Sequence, residues 1–125
     1  MTTSPHTVGS DQTLAFAHKL LKEHDIRHLP VLKGGELVGM ITERDLALVE
    51  TLKDVDPSII NVEDAMSPGV YTVSPDAPID EVCNEMASKK YGSAVIVQNH
   101  KVVGIFTTVD VCSAFAALLH GRLTH

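Results

Sequence analysis

An excess of basic charge is the first thing missing: ten Lys and Arg face sixteen Asp and Glu, giving a net charge of −6. The chain therefore carries no electrostatic footprint for nucleic acid or an anionic membrane. Long apolar runs are missing too. The longest, Ala114–Leu119, falls far short of the ~20 residues that a membrane span needs. Met1–Ser10 has neither the basic nor the apolar region of a signal peptide, which makes the cytoplasm the expected address. Cysteine is scarce. Cys83 and Cys112 fall in apolar helical stripes without CxxC spacing, so two buried, reduced thiols are expected. No Gly-rich phosphate loop of P-loop type occurs, and no Ser/His/Asp or Cys/His set has supporting local context, so an enzyme is not expected. His24 and His28 are four apart, but a helix end is predicted between them, and no metal site is expected.

What is present is one pattern used twice. Gly39-Met40-Ile41-Thr42-Glu43-Arg44-Asp45 returns 65 residues later as Gly104-Ile105-Phe106-Thr107-Thr108-Val109-Asp110. The match extends without a gap: Thr7 meets Thr72, Val8 meets Val73, Asp11 meets Asp76 and Val38 meets Val103. Leu14, Ala17, His18 and Leu21 fall on Ile79, Val82, Cys83 and Met86, an i, i+3, i+4, i+7 helical stripe in both halves. Each half alone would be a marginal core, so the halves are expected to bury their apolar faces together.

The first half reads as a short strand at Thr7-Val8, a helix from an Asp11 cap to about His24, and a hairpin. The hairpin pairs Leu29–Leu32 with Leu37–Ile41 across Lys33–Glu36, and a helix from Thr42 to about Leu52 follows. Lys53–Asn61 reads as linker, and Val62–Met66 as a short helical turn. The second half repeats the plan: strand Tyr71–Val73, helix from Asp76 to about Lys89, strands Ala94–Gln98 and Lys101–Phe106, and helix Thr108–Leu119. Val111, Ala114, Phe115 and Leu118 mark the apolar side of that last helix, Gly121 its stop, and Arg122–His125 a frayed end.

Thr42 ends a strand and opens a helix, where unpaired N–H groups and the helix dipole suit a phosphate. Asp45 can accept two hydrogen bonds from a ribose diol. The same Thr-x-x-Asp spacing is also a capping pattern that serves only the helix itself, so both readings stay open on these residues alone. Arg27 and Arg44 can supply cationic donors to a phosphate, or be solvated surface charges. His18 reads as a core or core-edge histidine.

The strand, helix, strand, strand, helix order, the doubled G-h-h-T-x-x-D and Ile26-Arg27-His28-Leu29-Pro30-Val31 together resemble the cystathionine-β-synthase-type (CBS) domain. Two such motifs in tandem make a Bateman module. The resemblance implies an α/β (α+β) fold of two pseudo-twofold-related motifs packed into one module. Residues 1–54 would be motif 1, 55–66 the linker and lead-in turn, 67–119 motif 2, and 120–125 a tail. It implies a regulatory module that senses AMP, ADP, ATP, NAD or S-adenosylmethionine in the cleft between motifs, with no cofactor required. The alternative is a ligand-silent pair that serves dimerisation or docking on a partner.

In such modules the Thr and Asp contact phosphate and ribose, and a basic residue at the position of His28 reaches the ligand. The main site would then use Arg27, His28, Thr42, Arg44 and Asp45, closed by Met66, Gly69 and Tyr71 of the lead-in segment. A weaker second site would use Ser93, Thr107 and Asp110. It has Gly92, Ser93 and Val109 where the first has Arg27, His28 and Arg44, so no cation meets a phosphate there. Its own lead-in segment would be Met1–His6. A homodimer is expected, because the four helices carry more apolar positions than one small module buries. A regulated protein, fused or separate, is the expected further partner.

Overall fold

The structure, a computed structural model, describes residues 2–3 and 5–123. Among these residues seven strands form, β1 (Thr2–Thr3), β2 (Val8–Gly9), β3 (His28–Lys33), β4 (Glu36–Thr42), β5 (Thr72–Val73), β6 (Ser93–Gln98) and β7 (Lys101–Thr107). Helices α1 (Leu14–Glu23), α2 (Glu43–Glu50), α3 (Ile79–Lys89) and α4 (Thr108–Leu123) complete the doubled plan, with a 3-10 turn at Val62–Asp64. The fold is mixed α/β, with one sheet ordered β2-β3-β4 and another β1-β7-β6-β5. The chain divides into two compact units. One holds His6–Val70 and Asn99–Val102; the other holds β1, Tyr71–Gln98 and the chain from Val103 on.

The repeat carries through to individual hydrogen bonds. β2 runs parallel to β3 with Val8 opposite Val31, and β5 parallel to β6 with Val73 opposite Ile96, the same register 65 residues on. β5 gains one earlier pair, Thr72 with Val95, where the Val95 N–H donates to the Tyr71 carbonyl at 2.9 Å. Pro30 occupies the equivalent place and has no N–H to give, so β2 begins at Val8 rather than at Thr7. Both hairpins turn on two residues of positive φ, Gly34-Gly35 (59° and 84°) and Asn99-His100 (52° and 66°). That geometry follows the right-handed twist of paired strands.

In the first unit Leu14, Ala17 and Leu21 of α1 pack with Leu29, Val31, Ile41, Leu46 and Val62. In the second, Val82 and Met86 of α3 meet Ala94, with Tyr71, Val73, Ala77 and Phe106 around them. The first core fixes the β3–β4 hairpin and the start of α2, where the candidate site lies.

Several element ends depart from expectation. Asp11 does not cap α1: the chain turns first, Gln12 N–H donating to the Gly9 carbonyl at 3.1 Å. Thr13 caps instead, its Oγ1 accepting from Phe16 N–H at 3.1 Å. Helix α3 starts at Ile79 rather than Asp76, because Pro78 disfavours helical backbone at the residue before it and itself becomes the cap. Thr2–Thr3, ahead of the first expected strand, pairs antiparallel with β7. Helix α4 runs through Gly121 to Leu123; glycine stops a helix by taking positive φ, and Gly121 does not. Residues 124 and 125 of the expected tail lie outside the described residues. The thiols are not buried as expected. Cys83 is half-buried beside the narrow Val82–Met86 stripe, and Cys112 is exposed on α4. The predicted apolar side of α4 is itself open, Phe115 and Leu118 being 58% and 52% exposed.

Candidate functional site

Antiparallel pairing of β3 with β4 sets His28 opposite Thr42. The start of one strand thus lies beside the end of the next, where α2 departs. Arg27, His28, Thr42, Glu43, Arg44 and Ala47 line a pocket of about 420 Å³ there, within the range typical of small-molecule sites. A second hollow of about 360 Å³ adjoins it, sharing Arg27, Glu43 and Ala47 and reaching His18, whose Nδ1 lies 2.7 Å from Glu50 Oε1. A larger hollow of about 520 Å³ lies at the other end of β3, lined by Thr7–Asp11, Leu32–Gly35 and Glu63. Its charged side chains are two carboxylates and Lys33, a poorer setting for a phosphate.

Thr42 has extended backbone, φ −118° and ψ 161°, and caps α2. The Asp45 N–H donates to Thr42 Oγ1 at 3.1 Å, and the Thr42 N–H donates to Asp45 Oδ2 at 2.9 Å. This reciprocal box satisfies two donors at the helix start. The other unit repeats it: Thr107 N–H reaches Asp110 Oδ2 at 2.8 Å, and Asp110 N–H reaches Thr107 Oγ1 at 3.4 Å. One further bond repeats as well. Glu43 N–H donates to the Arg27 carbonyl at 3.0 Å, and Thr108 N–H to the Gly92 carbonyl at 3.1 Å.

These bonds correct one expectation. The helix N-terminus is not an open cradle of N–H groups, since the chain itself uses the donors of Thr42, Glu43 and Asp45. A phosphate here must be met by side chains and the Arg44 N–H. At the second motif, Val109 replaces Arg44 and even that side chain is lost. The ribose role of Asp45 is compatible with the box: a carboxylate has about four acceptor positions, and the cap draws on Oδ2 alone.

His28 is half-buried, and its pKa is lowered from the ordinary 6.5, chiefly by burial and next by the charge of Arg27, with Asp45 pulling it back up. It therefore serves near neutral pH as a neutral imidazole, with one donor and one acceptor nitrogen, rather than as a cation. Positive charge falls to Arg27 and Arg44, both exposed. Arg27 Nε lies 3.6 Å from Glu43 Oε2, and both side chains are well exposed.

The remaining predicted residues are dispersed. Met66 and Gly69 belong to the same unit as the pocket but do not line it. Ser67 exchanges both backbone hydrogen bonds with Met40 at 2.9 Å, which seats Met66 over Gly39. A Cβ on Gly39 would meet Met66 Sδ at 2.5 Å and the Ser67 carbonyl at 3.0 Å, so this close approach requires glycine at the head of the motif. Tyr71 belongs to the other unit and stacks on Tyr91 with centroids 5.1 Å apart. Ser93, Thr107 and Asp110 also lie there, Ser93 half-buried at the start of β6. Of the lead-in segment Met1–His6, residues 1 and 4 lie outside the described residues. Sequence reasoning passed over Glu43 and Ala47; they stand four apart on one face of α2, and helical periodicity could have paired them.

Among the described residues no group of three or more His, Cys, Asp or Glu is placed to hold a metal, and no helix is long and apolar enough to cross a membrane.

Comparison with known proteins places this geometry. The CBS domain family matches residues 1–50 and 62–117. Hypoxic response protein 1 of Mycobacterium tuberculosis is 30% identical over 105 residues, covering 83% of this chain and 73% of that protein. An acetoin utilization protein (AcuB) of Vibrio cholerae has a similar structure, with TM-score 0.84 and 28% identity, covering 100% of this chain and 93% of that one. So does the CBS domain pair of protein MJ0100, in complex with 5′-methylthioadenosine and S-adenosyl-L-methionine. Its TM-score is 0.81 at 29% identity, covering 93% of this chain and 92% of that one. Three enzymes among the relatives are each matched over only 21% of their length. Two stretches of family match, joined by a doubled fold and doubled capping boxes, give one conclusion: the chain belongs to the CBS domain family.

Proposed function

We propose that the chain is a regulatory, non-catalytic module of the cytoplasm that binds an adenine nucleotide or related adenosyl compound in the pocket at Thr42. The observation that carries this reading is the convergence of Arg27, His28, Thr42 and Arg44 on one small-molecule-sized hollow, beside the boxed Asp45. Asp45 receives the ribose hydroxyls, His28 hydrogen-bonds the ligand, and the two arginines meet a phosphate. Met66 and Gly69 of the same unit would close over it, and Ser93, Thr107 and Asp110 would form the weaker second site. The adenosyl ligands of the MJ0100 pair support this ligand class.

A thermal-shift panel of AMP, ADP, ATP, NAD and S-adenosylmethionine tests it. Ligand binding to the native state alone stabilises by RT ln(1 + [L]/Kd), about 2.7 kcal/mol at a hundredfold excess over Kd. A panel with no shift refutes the reading.

The second reading, a ligand-silent dimerisation or docking module, is favoured by one observation. Val109, Phe115, Leu118 and Leu119 of α4 are all more than 40% exposed. Such an apolar side suits a homodimer or a regulated protein, fused or separate. Light scattering at micromolar concentration should give a dimer mass, and Phe115→Glu should lower it to the monomer's. A monomer in the parent protein removes the homodimer.

A further inference from the structure

We propose that Glu43 sets the charge class of the ligand, so that the pocket at Thr42 accepts adenosyl compounds with one phosphate or none and turns away di- and triphosphates. This rests on the nucleotide-site reading above. The donors that would hold a phosphate chain are largely spent. Thr42, Glu43 and Asp45 give their N–H groups to the chain itself, so a phosphate must be met by side chains and the Arg44 N–H. Those side chains are close to charge balance. Arg27 and Arg44 face the carboxylate of Glu43 in the pocket wall and that of Asp45, close enough to act on His28.

Glu43 is the decisive member. Its Oε2 lies 3.6 Å from Arg27 Nε, so a phosphate seeking Arg27 must compete with a carboxylate already there. His28, held neutral by burial, adds no positive charge. One phosphate can be met by Arg44 and a share of Arg27. Each further phosphate adds negative charge beside Glu43, and in the adjoining hollow Lys22 is outnumbered by Asp25 and Glu50, on a chain of net charge −6. An adenosyl thioether needs none of this compensation, because sugar and base contacts suffice for it. The second motif has Thr108 at the place of Glu43, so this filter belongs to the first half alone.

Calorimetry with 5′-methylthioadenosine, AMP and ATP on the parent, Glu43→Gln and Glu36→Gln proteins tests the inference. Glu36→Gln removes the same charge at the far end of the β3–β4 hairpin. In the parent, 5′-methylthioadenosine and AMP should each bind at least tenfold more tightly than ATP. Glu43→Gln should raise ATP affinity about threefold to tenfold, moderated because both partners are exposed. The gain should shrink in 0.5 M salt and exceed any change for 5′-methylthioadenosine. Three results overturn the inference while leaving the site reading standing: ATP binding the parent as tightly as AMP, no ATP gain in Glu43→Gln, or an equal gain in Glu36→Gln. Failure of all three compounds to bind the parent overturns the site reading, and this inference with it.

Discussion

Replacing Asp45 with alanine removes two roles from one carboxylate, and the duplicate at Asp110 separates them. Both residues accept a hydrogen bond from the Thr three positions earlier, at 2.9 Å for Asp45 and 2.8 Å for Asp110. Both sit part-buried at a helix start, so loss of the box should cost each variant a similar amount. The capping threonines stay in place, and losing one such hydrogen bond typically costs about 1 kcal/mol, or roughly 3–5 °C in Tm for a chain of this size.

Ligand affinity should divide the pair. At Asp45 the ribose hydroxyls lose their acceptor, which costs about 1–3 kcal/mol, or roughly tenfold to a hundredfold in Kd. Calorimetry with AMP should show that loss in Asp45→Ala and a near-parental Kd in Asp110→Ala, while scanning calorimetry shows comparable Tm losses in both. Equal affinity losses, or a larger one at Asp110, would place the main site in the wrong half. Unchanged AMP affinity in Asp45→Ala would reduce Asp45 to a cap.

Three further outcomes follow from particular contacts. The lowered pKa of His28 means that the unfolded chain takes up that proton first on acidification. This share of stability is complete above about pH 6.5 and is lost as pH falls from there towards the folded value; Tm between pH 7.5 and 5 should fall more steeply for the parent than for His28→Gln. Gly39→Ala forces a Cβ against Met66 and the Ser67 carbonyl, and should cost about 1–3 kcal/mol by overpacking; an unchanged denaturation midpoint would contradict it. His100→Gly removes a side chain from a left-handed position at φ 66° and turns Asn99-His100 into an Asn-Gly hairpin turn, which should stabilise by about 0.5–1 kcal/mol; a lower Tm would show that His100 makes a compensating contact.

The fold was legible because the repeat made each half a check on the other. Leu29 and Ile41, taken from the two runs expected to pair as a hairpin, face each other in the core. The element ends were legible unevenly. Helices α1 and α3 stop where expected, closing through Asp25 and Lys90, non-glycine residues at φ 50° and 61°. Leu21 and Met86 carbonyls accept there from Ile26 and Tyr91 N–H, a closure with no glycine to announce it. Gly121 misled in the opposite sense, a glycine that stays helical. Thr13 won the cap of α1 from Asp11 because a turn at residues 9–12 and the Thr13–Asn61 bridge fix where the helix begins. These are choices made by contacts distant in sequence, which local pattern does not carry.

The candidate site was legible for a reason other than the one the motif suggests. Thr42 with Asp45 and Thr107 with Asp110 make the same boxes, and Arg27 and Gly92 carbonyls accept the same bond from the next residue of each helix. Features kept in both copies down to the hydrogen bond answer to a need that both copies share, which is to start a helix on the end of a strand. The repetition of Thr-x-x-Asp is therefore accounted for by folding, and it does not by itself distinguish a binding half from a silent one. What distinguishes the halves is what the repeat fails to keep: Arg27, His28, Glu43 and Arg44 against Gly92, Ser93, Thr108 and Val109. Folding does not ask for the side chains of Arg27, Glu43 and Arg44. Glu43 and Arg44 are exposed in the first turn of α2, and Arg27 contributes to the fold through its carbonyl, as glycine does at its counterpart. Side chains that the scaffold does not need, gathered on one pocket, are where the proposed ligand would be read. On that proposal, the carboxylate of Glu43 among them bears as much on which ligands would be refused as the arginines bear on which would be held.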